Sequence, residues 1–486
     1  MDHYLAIDLG AESGRGILGT LSGGQLALEE IHRFLNEPVR LPTGLYWDSF
    51  RLFFHIGESL RIAGRERKVK LSGIGVDTWG VDFGLLGSDG ALIDNPRCYR
   101  DPRTEGMFDK VFQVTPRERV FAETGLQFME LNSLYQLYAM KLACSPGLQA
   151  AGRLLFMPDL LAYWLTGVAK NELTIASTSQ FYNPAAKTWA WDLIEALGLP
   201  LHILGEIVPP GTLLGPLLPH LAETAALDGA PVFASAGHDT AAAVAAVPAT
   251  GTDWCYISSG TWSLMGVELD EPVINSAVLE ANFTNEVGVA GKIRFLKNIA
   301  GLWLLQECRR AWALEGTEYS YGQLADMAAE ARPFPAIVPP DRFIAPGRMP
   351  ERIAAFCRSS GQTAPATHGE MARAILEGLA LRYREVLETL ESLTGRTLAT
   401  VHIVGGGSRN KVLNQFAADA TRRRVVAGPA EATAAGNILV QAIGKGQLAD
   451  LPAAREVVRK SFPVEVYEPA NGAPWDAAYH RFKALA

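Results

Sequence analysis

Cysteine is scarce in this chain: five in 486 residues (Cys98, Cys144, Cys255, Cys308 and Cys357), with no Cys-x-x-Cys pair. That argues against a disulfide framework and against a zinc site of the usual spacing. The P-loop is also missing, since Gly291-Lys292 runs into Ile293 and Gly444-Lys445 into Gly446. No uncharged apolar run is long enough to span a membrane, and Asp2 and Asp8 interrupt the apolar start where a secretory signal would be continuous. There is no basic surplus: 44 Lys and Arg stand against 52 Asp and Glu, for a net charge of −8, mixed along the sequence. Nucleic acid and anionic membrane surfaces are thereby disfavoured as main partners. A reducing cytoplasm is the expected compartment.

What is present is a soluble, two-domain composition. A chain of 486 residues, 48% hydrophobic and 20% charged, is too long for one ordinary core. Strand-like and helix-like segments alternate from end to end, the α/β pattern. The sequence opens with Leu5-Ala6-Ile7-Asp8-Leu9-Gly10-Ala11-Glu12-Ser13-Gly14-Arg15, an apolar run that turns through small residues and returns as a second run. A third strand is expected over 26–34, helices over 49–63, 133–144 and 158–165, and a Pro/Gly-rich surface stretch over 207–219. Residues 230–236 read as a buried strand, followed by Gly237-His238-Asp239-Thr240 and an Ala-rich helix over 241–247.

Pro248 to Gly251 breaks the pattern and suggests domains 1–248 and 249–486. After the break the opening theme returns. Trp254-Cys255-Tyr256-Ile257 enters a Ser258-Ser259-Gly260-Thr261 turn and Trp262-Ser263-Leu264 leaves it, which suggests a duplicated architecture. Helices are expected over 302–314, 321–330 and 369–393. A strand over 400–404 empties into Gly405-Gly406-Gly407, with a helix beyond.

Several residues have both a chemical and a plain structural reading. Asp8, at the end of a buried strand, is a turn former or a carboxylate aimed at the metal of a Mg-nucleotide. Arg15 is a surface charge or a phosphate contact. Asp239 is a helix N-cap or a base that takes a hydroxyl proton during phosphoryl transfer, the two being compatible if Thr240 does the capping. The triple glycine is a flexible loop or a place where backbone approaches a flat ligand. Small residues over 431–437 serve tight helix packing or lie under a nucleotide. Trp262 and Trp303 read as core anchors, whereas Trp79 sits in a hairpin turn where a core role is less natural. Asp77 and Asp82 flank that turn as a possible acid pair, but residues on opposite arms need not converge.

Together these segments resemble the FGGY carbohydrate kinases, a branch of the actin- and hexokinase-like phosphotransferases. The resemblance runs from Asp8 to about Lys445 and is most specific over residues 75–83, 99–104, 256–266 and 296–306. It implies an α/β fold of two actin-like (ribonuclease H-like) domains flanking a deep catalytic cleft. The N-terminal domain would carry the sugar site, phosphate turn and base, and the C-terminal domain the nucleotide. By the same match Ala11, Glu12, Ser13, Gly14 and Arg15 lie along the ATP phosphates, and Thr261, Gln306, Gly405, Gly406 and Gly407 also belong to ATP. Gly80, Gly237, His238, Asp239 and Asn298 match sugar-binding positions, and Asp239 matches the proton acceptor. Asp8 would be an outer-shell partner of Mg²⁺.

The chain departs from the wider family in two places. It lacks the Lys-apolar-x-Trp segment and has Ala11-Glu12 where many relatives have hydroxyl residues. Near residues 132–137 it resembles the branch acting on L-rhamnulose. The expected reaction is therefore transfer of the ATP γ-phosphoryl to the 1-hydroxyl of L-rhamnulose in L-rhamnose breakdown. Another ketose (L-fuculose or xylulose) and a non-catalytic actin-like sensor are the alternatives. The methyl end of a 6-deoxy sugar calls for an apolar face, for which Trp79 or Phe83 is the candidate. The expected assembly is a monomer or small homo-oligomer.

Overall fold

The opening hairpin pairs Asp2–Leu9 with Ser13–Ser22 antiparallel, closed by the Gly10 N–H on the Ser13 carbonyl at 2.9 Å. In the computed structural model, which describes residues 1–345, 347–470 and 472–485, the chain forms two compact units. The first takes Met1–Ala246, Glu268–Phe295 and Ala432–Ser461; the second takes Val247–Val267, Leu296–Glu431 and the segment from Phe462 on. Neither unit is one continuous stretch.

Among the described residues, the main sheet of the first unit runs Thr212–Pro216, Pro231–Ala234, Leu71–Thr78, Asp2–Leu9, Ser13–Ser22, Gln25–Leu35. Its three central strands are parallel and carry near-continuous buried apolar runs, as a sheet covered on both faces requires. The strand Thr212–Pro216 arises inside the stretch expected to be irregular surface. It is tolerated there because it is an edge strand, with a register shift between Leu213 and Gly215 and Pro216 at its end.

The helix Ala432–Gly444 belongs to this first unit, and its small residues serve packing. A Cβ on Gly436 would fall on the Ala242 carbonyl of the helix Asp239–Ala245. Gly73 and Gly75 in the central strand leave room for the amides of Gln441 and Asn437. A side chain at either glycine would push that helix off the sheet.

The second unit repeats the sequence of strand senses. Trp254–Ser259 is antiparallel to Ser263–Leu269 and parallel to Thr400–Val404. Thr400–Val404 is parallel to Arg424–Ala427, which is antiparallel to Glu465–Tyr467. The duplication is thus one of topology, and it separates chemistry. Where the first unit sets Asp8 opposite Asp77, the second sets Ser258 opposite Val404. Against this sheet runs the long helix His368–Thr394, capped by the Thr367 hydroxyl and ended at Gly395 with φ +67°. The five cysteines are free thiols, and no helix among the described residues is long and apolar enough to cross a membrane.

Candidate active site

Three central strands of the first unit end together, and the charged residues gather at those ends. Asp8 and Asp77 are register partners. Thr78 bridges to His238, with its N–H on the Gly237 carbonyl at 2.9 Å. Carboxyl ends of parallel strands are where α/β sheets bind ligands. Asp77 is fully buried; one oxygen accepts from the Asn437 amide at 2.5 Å and the other has no hydrogen-bond partner. Burial first, then the charge of Asp8, pushes the Asp77 carboxyl well above the usual carboxylate range, with Asn437 opposing.

Asp8 and Arg15 face each other across the hairpin and form an ion pair, with Glu30 3.9 Å from a second Arg15 nitrogen. The expected separate roles of these two residues, one toward metal and one toward phosphate, thus begin from a state in which each neutralises the other. The rest of the phosphate turn is half-buried: Ala11 packs on the core, Asn36 Nδ2 donates to the Gly10 carbonyl at 2.8 Å, and the Asn36 N–H donates to the Glu12 carbonyl at 3.0 Å. Gly14 is glycine because a Cβ there would enter the Phe34 ring.

Asp239 is the first residue of its helix, and His238 occupies the cap position without a side-chain cap bond. Thr240 does not cap either; its N–H and hydroxyl both donate to Asp239 Oδ1, at 2.5 and 3.2 Å. The Asp239 side chain is 32% exposed, so a substrate hydroxyl can reach it. Burial raises its proton affinity, His238 opposes, and Asp8 adds to the rise.

The backbone of this turn is held by residues that the sequence reading passed over. Glu172 accepts from the Gly237 N–H at 3.0 Å while capping its own short helix, and the Thr174 hydroxyl accepts from the His238 N–H at 3.2 Å. The signal available in the sequence was a Glu two positions before a Thr at a helix start. Gly80 lies beside the His238 ring, where a Cβ would stand 3.5 Å from Nε2.

The turn after Asp77 is pinned rather than open. Val81 has φ +68°, costly for a β-branched residue, and is held there by Thr178 Oγ1 on its N–H at 3.1 Å and Ser133 Oγ on its carbonyl at 2.5 Å. Asp82 accepts from Trp47 Nε1 (2.6 Å), Trp79 Nε1 (2.9 Å), Gln136 Nε2 (2.9 Å) and the Tyr99 N–H (3.1 Å). Trp79 is therefore a core residue, buried and packed against Trp47 at a tilt of 42° with centroids 4.2 Å apart, and Phe83 is buried too. Neither offers an exposed apolar face for a sugar methyl group. Asp77 and Asp82 are bound to different partners and form no acid pair.

Burial pushes Asp82 up to about 6 against the pull of those donors. Between its unfolded value near 4 and that value, the folded state keeps a proton the unfolded chain has lost. Stability from this group therefore falls as pH rises from about 4 to about 6, by about 3 kcal/mol in all, and is flat above. Urea unfolding across that range should show a slope in wild type that is smaller by this amount in Asp82→Asn.

In the second unit the turn 258–262 packs on Gly301. The Gly260 and Thr261 carbonyls accept from the Leu302 and Trp303 N–H groups, both at 3.1 Å, and a Cβ on Gly301 would strike the Trp262 backbone. Gln306 lies on the helix Trp303–Leu314, and its buried Oε1 has no hydrogen-bond partner. Gly405 (φ +83°) and Gly407 are glycines because Ser259 lies against them, whereas nothing stands within 4 Å of a Cβ on Gly406. Asn298 follows Lys297 on the strand Ile293–Ile299. Burial, with Arg382 nearby, lowers Lys297 to about 8, and a lysine inside an apolar strand was the signal for it. The structure thus brings Asp8, Arg15, Gly80, Gly237, His238 and Asp239 together in one unit. Thr261, Asn298, Gln306 and the triple glycine belong to the other.

Among the described residues no group of three or more His, Cys, Asp or Glu side chains is disposed to hold a metal ion. A cation carried on a nucleotide needs only one or two carboxylates besides phosphate oxygens and water. The strand ends suit that arrival, since Asp8 and Asp239 raise the proton affinity of Asp77 and a cation would offset their charge.

Comparison with known proteins makes this chain a sugar phosphotransferase. The chain belongs to the FGGY family of carbohydrate kinases: the family's N-terminal domain matches residues 3–246 and its C-terminal domain residues 255–444. It is 46% identical over 483 residues to a protein named rhamnulokinase from Bacteroides thetaiotaomicron, covering 99% of both chains. A rhamnulokinase from Enterococcus faecalis is 42% identical over 470 residues, 96% of this chain and 94% of the relative. Among solved structures, xylulose kinase from Lactobacillus acidophilus superposes with a TM-score of 0.83 at 16% identity, over 100% of this chain and 98% of that one.

Proposed function

We propose that this protein is an ATP-dependent ketose kinase that transfers the γ-phosphoryl group to the 1-hydroxyl of L-rhamnulose, giving L-rhamnulose 1-phosphate and ADP, a step of L-rhamnose degradation. The observation that carries this reading is full-length identity of 38 to 46% to relatives that all bear the name rhamnulokinase. It is supported by a reachable carboxylate, Asp239, with raised proton affinity at the strand ends. In this reading Asp239 orients the sugar hydroxyl and accepts its proton as the phosphoryl group leaves ATP. His238 and the space beside Gly80 receive the sugar, and Asn298 donates to it. The 11–15 turn follows the phosphates, while Thr261, Gln306 and Gly405 to Gly407 serve the nucleotide.

ATP-dependent kinases of this family need a divalent metal with the nucleotide, and Mg²⁺ is the ion we assign. It enters as part of the substrate, with Asp8 in its outer shell. For Asp8 and Arg15 to act on the Mg-nucleotide, their mutual ion pair opens or is shared with it. The reaction would take place in the cytoplasm.

A coupled ADP-release assay over L-rhamnulose, L-fuculose and xylulose tests the assignment. L-Rhamnulose should give the highest kcat/KM, by at least about tenfold, a margin within reach of differential contacts to one or two hydroxyl groups. Preference for another ketose would move the substrate; sugar or nucleotide binding without turnover would favour the sensor.

A further inference from the structure

Behind His238 lies a charged pair that the reaction above does not use. Arg294 is fully buried, and Glu286, on the strand Thr284–Val287, is 6% exposed. Arg294 Nη2 stands 3.1 Å from His238 Nδ1 and 3.2 Å from Glu286 Oε2, and Glu286 Oε2 lies 3.4 Å from His238 Nδ1. The guanidinium is fixed from the other side by the Val287 carbonyl, which accepts from Nε at 3.3 Å and Nη2 at 3.1 Å. Arg294 Nη1 has no hydrogen-bond partner.

So complete a burial is a poor source of stability, because desolvation offsets the Coulomb attraction. It is well suited to fixing one ring in one state. A guanidinium can only donate, so its contact with Nδ1 makes that nitrogen the acceptor. The neutral ring then carries its proton on Nε2, the nitrogen 3.4 Å from Asp239 Oδ1 and next to Gly80. Glu286 Oε2 is the competing acceptor for a proton on Nδ1, but it lies farther from that nitrogen than Arg294 Nη2 does, and Arg294 offsets its charge.

We propose that Arg294, seated on Glu286, is a positioning residue that locks His238 in its Nε2–H tautomer, so that the ring donates toward the Asp239 carboxylate and the sugar. The proposal rests on the kinase reading for its consequence, and on geometry alone for the tautomer. His238 and Asp239 remain the groups that touch substrate; Arg294 acts through them.

The test is a double-mutant cycle of Arg294→Met and His238→Ala, read by kcat, KM and MgADP affinity. Arg294→Met should lower kcat/KM about 10²-fold, mostly in kcat, as loss of orientation at a reacting group does, and leave MgADP affinity unchanged. In the His238→Ala background the same change should cost less than about threefold, the non-additivity expected when one residue acts through another. Equal losses in both backgrounds would overturn the proposal.

A second measurement does not depend on the variant folding. In ¹⁵N-histidine-labelled wild type, the His238 signals, identified by their loss in His238→Ala, should show Nε2 protonated and Nδ1 bare near neutral pH. A proton on Nδ1 would overturn the proposal even if the enzyme turns over. Wild type that phosphorylates no ketose would instead sink the kinase reading, while the tautomer measurement still decides this one.

Discussion

Replacing Asp239 by Asn should lower L-rhamnulose phosphorylation by about 10³-fold or more, toward the upper range for loss of a general base. The substitution keeps what is structural about the residue. An Asn Oδ1 can still accept from the Thr240 N–H and hydroxyl that Asp239 now holds at 2.5 and 3.2 Å. What is lost is the site that takes the proton. The folded protein should be no less stable, because a charge near Asp8 and Asp77 has been removed. MgADP binding, followed by calorimetry, should stay within about threefold of wild type if orientation and charge at the sugar end are all that change. Turnover within tenfold of wild type would falsify the base assignment and leave Asp239 as a helix-end residue.

The second large effect is on stability. Asn437→Leu should destabilise the first unit by about 3 kcal/mol, the upper end for stranding a buried polar group. Asp77 is fully buried, its other oxygen is already without a partner, and Asn437 supplies the donor to its Oδ2. The Asn437 side-chain Oδ1 also accepts from Gln441 Nε2 at 2.7 Å, so the change leaves a second group short. The first thermal transition should drop by about 5 °C, since a unit of roughly 300 residues shifts by about 2 °C per kcal/mol. Adding Asp77→Leu should restore part of the loss, since replacing both partners by apolar side chains removes the polar group that Asn437→Leu leaves stranded. A double variant no more stable than Asn437→Leu would place the cost in packing of the helix and not in the carboxyl group.

Much of the architecture was legible before any coordinates. Period and punctuation placed the opening hairpin, the helix Tyr321–Glu330 and the strand Thr400–Val404, because runs of buried aliphatic residues bounded by glycine or proline leave little choice. The return of strand, small-residue turn and strand after residue 251 announced the duplication. The edge strand Thr212–Pro216 was hidden by its Pro and Gly content, which an edge accepts and a central strand does not. Trp79 was misjudged because its neighbours in sequence form a turn, while the group that satisfies its indole, Asp82, is fixed by Trp47 and Gln136 from other elements.

By itself, then, the sequence determined an α/β chain of two related halves. It also determined Asp8 and Asp239 at strand ends, and glycines where backbones crowd. These follow from local rules: alternation, turn chemistry and the room a missing Cβ leaves. Tertiary structure alone decided which charge meets which. The Asp8–Arg15 pair, the Asn437 amide on Asp77, Glu172 beneath Gly237, and Arg294 with Glu286 behind His238 join residues that only the fold brings together. Electrostatic energy depends on distance and burial, and neither is written along a chain.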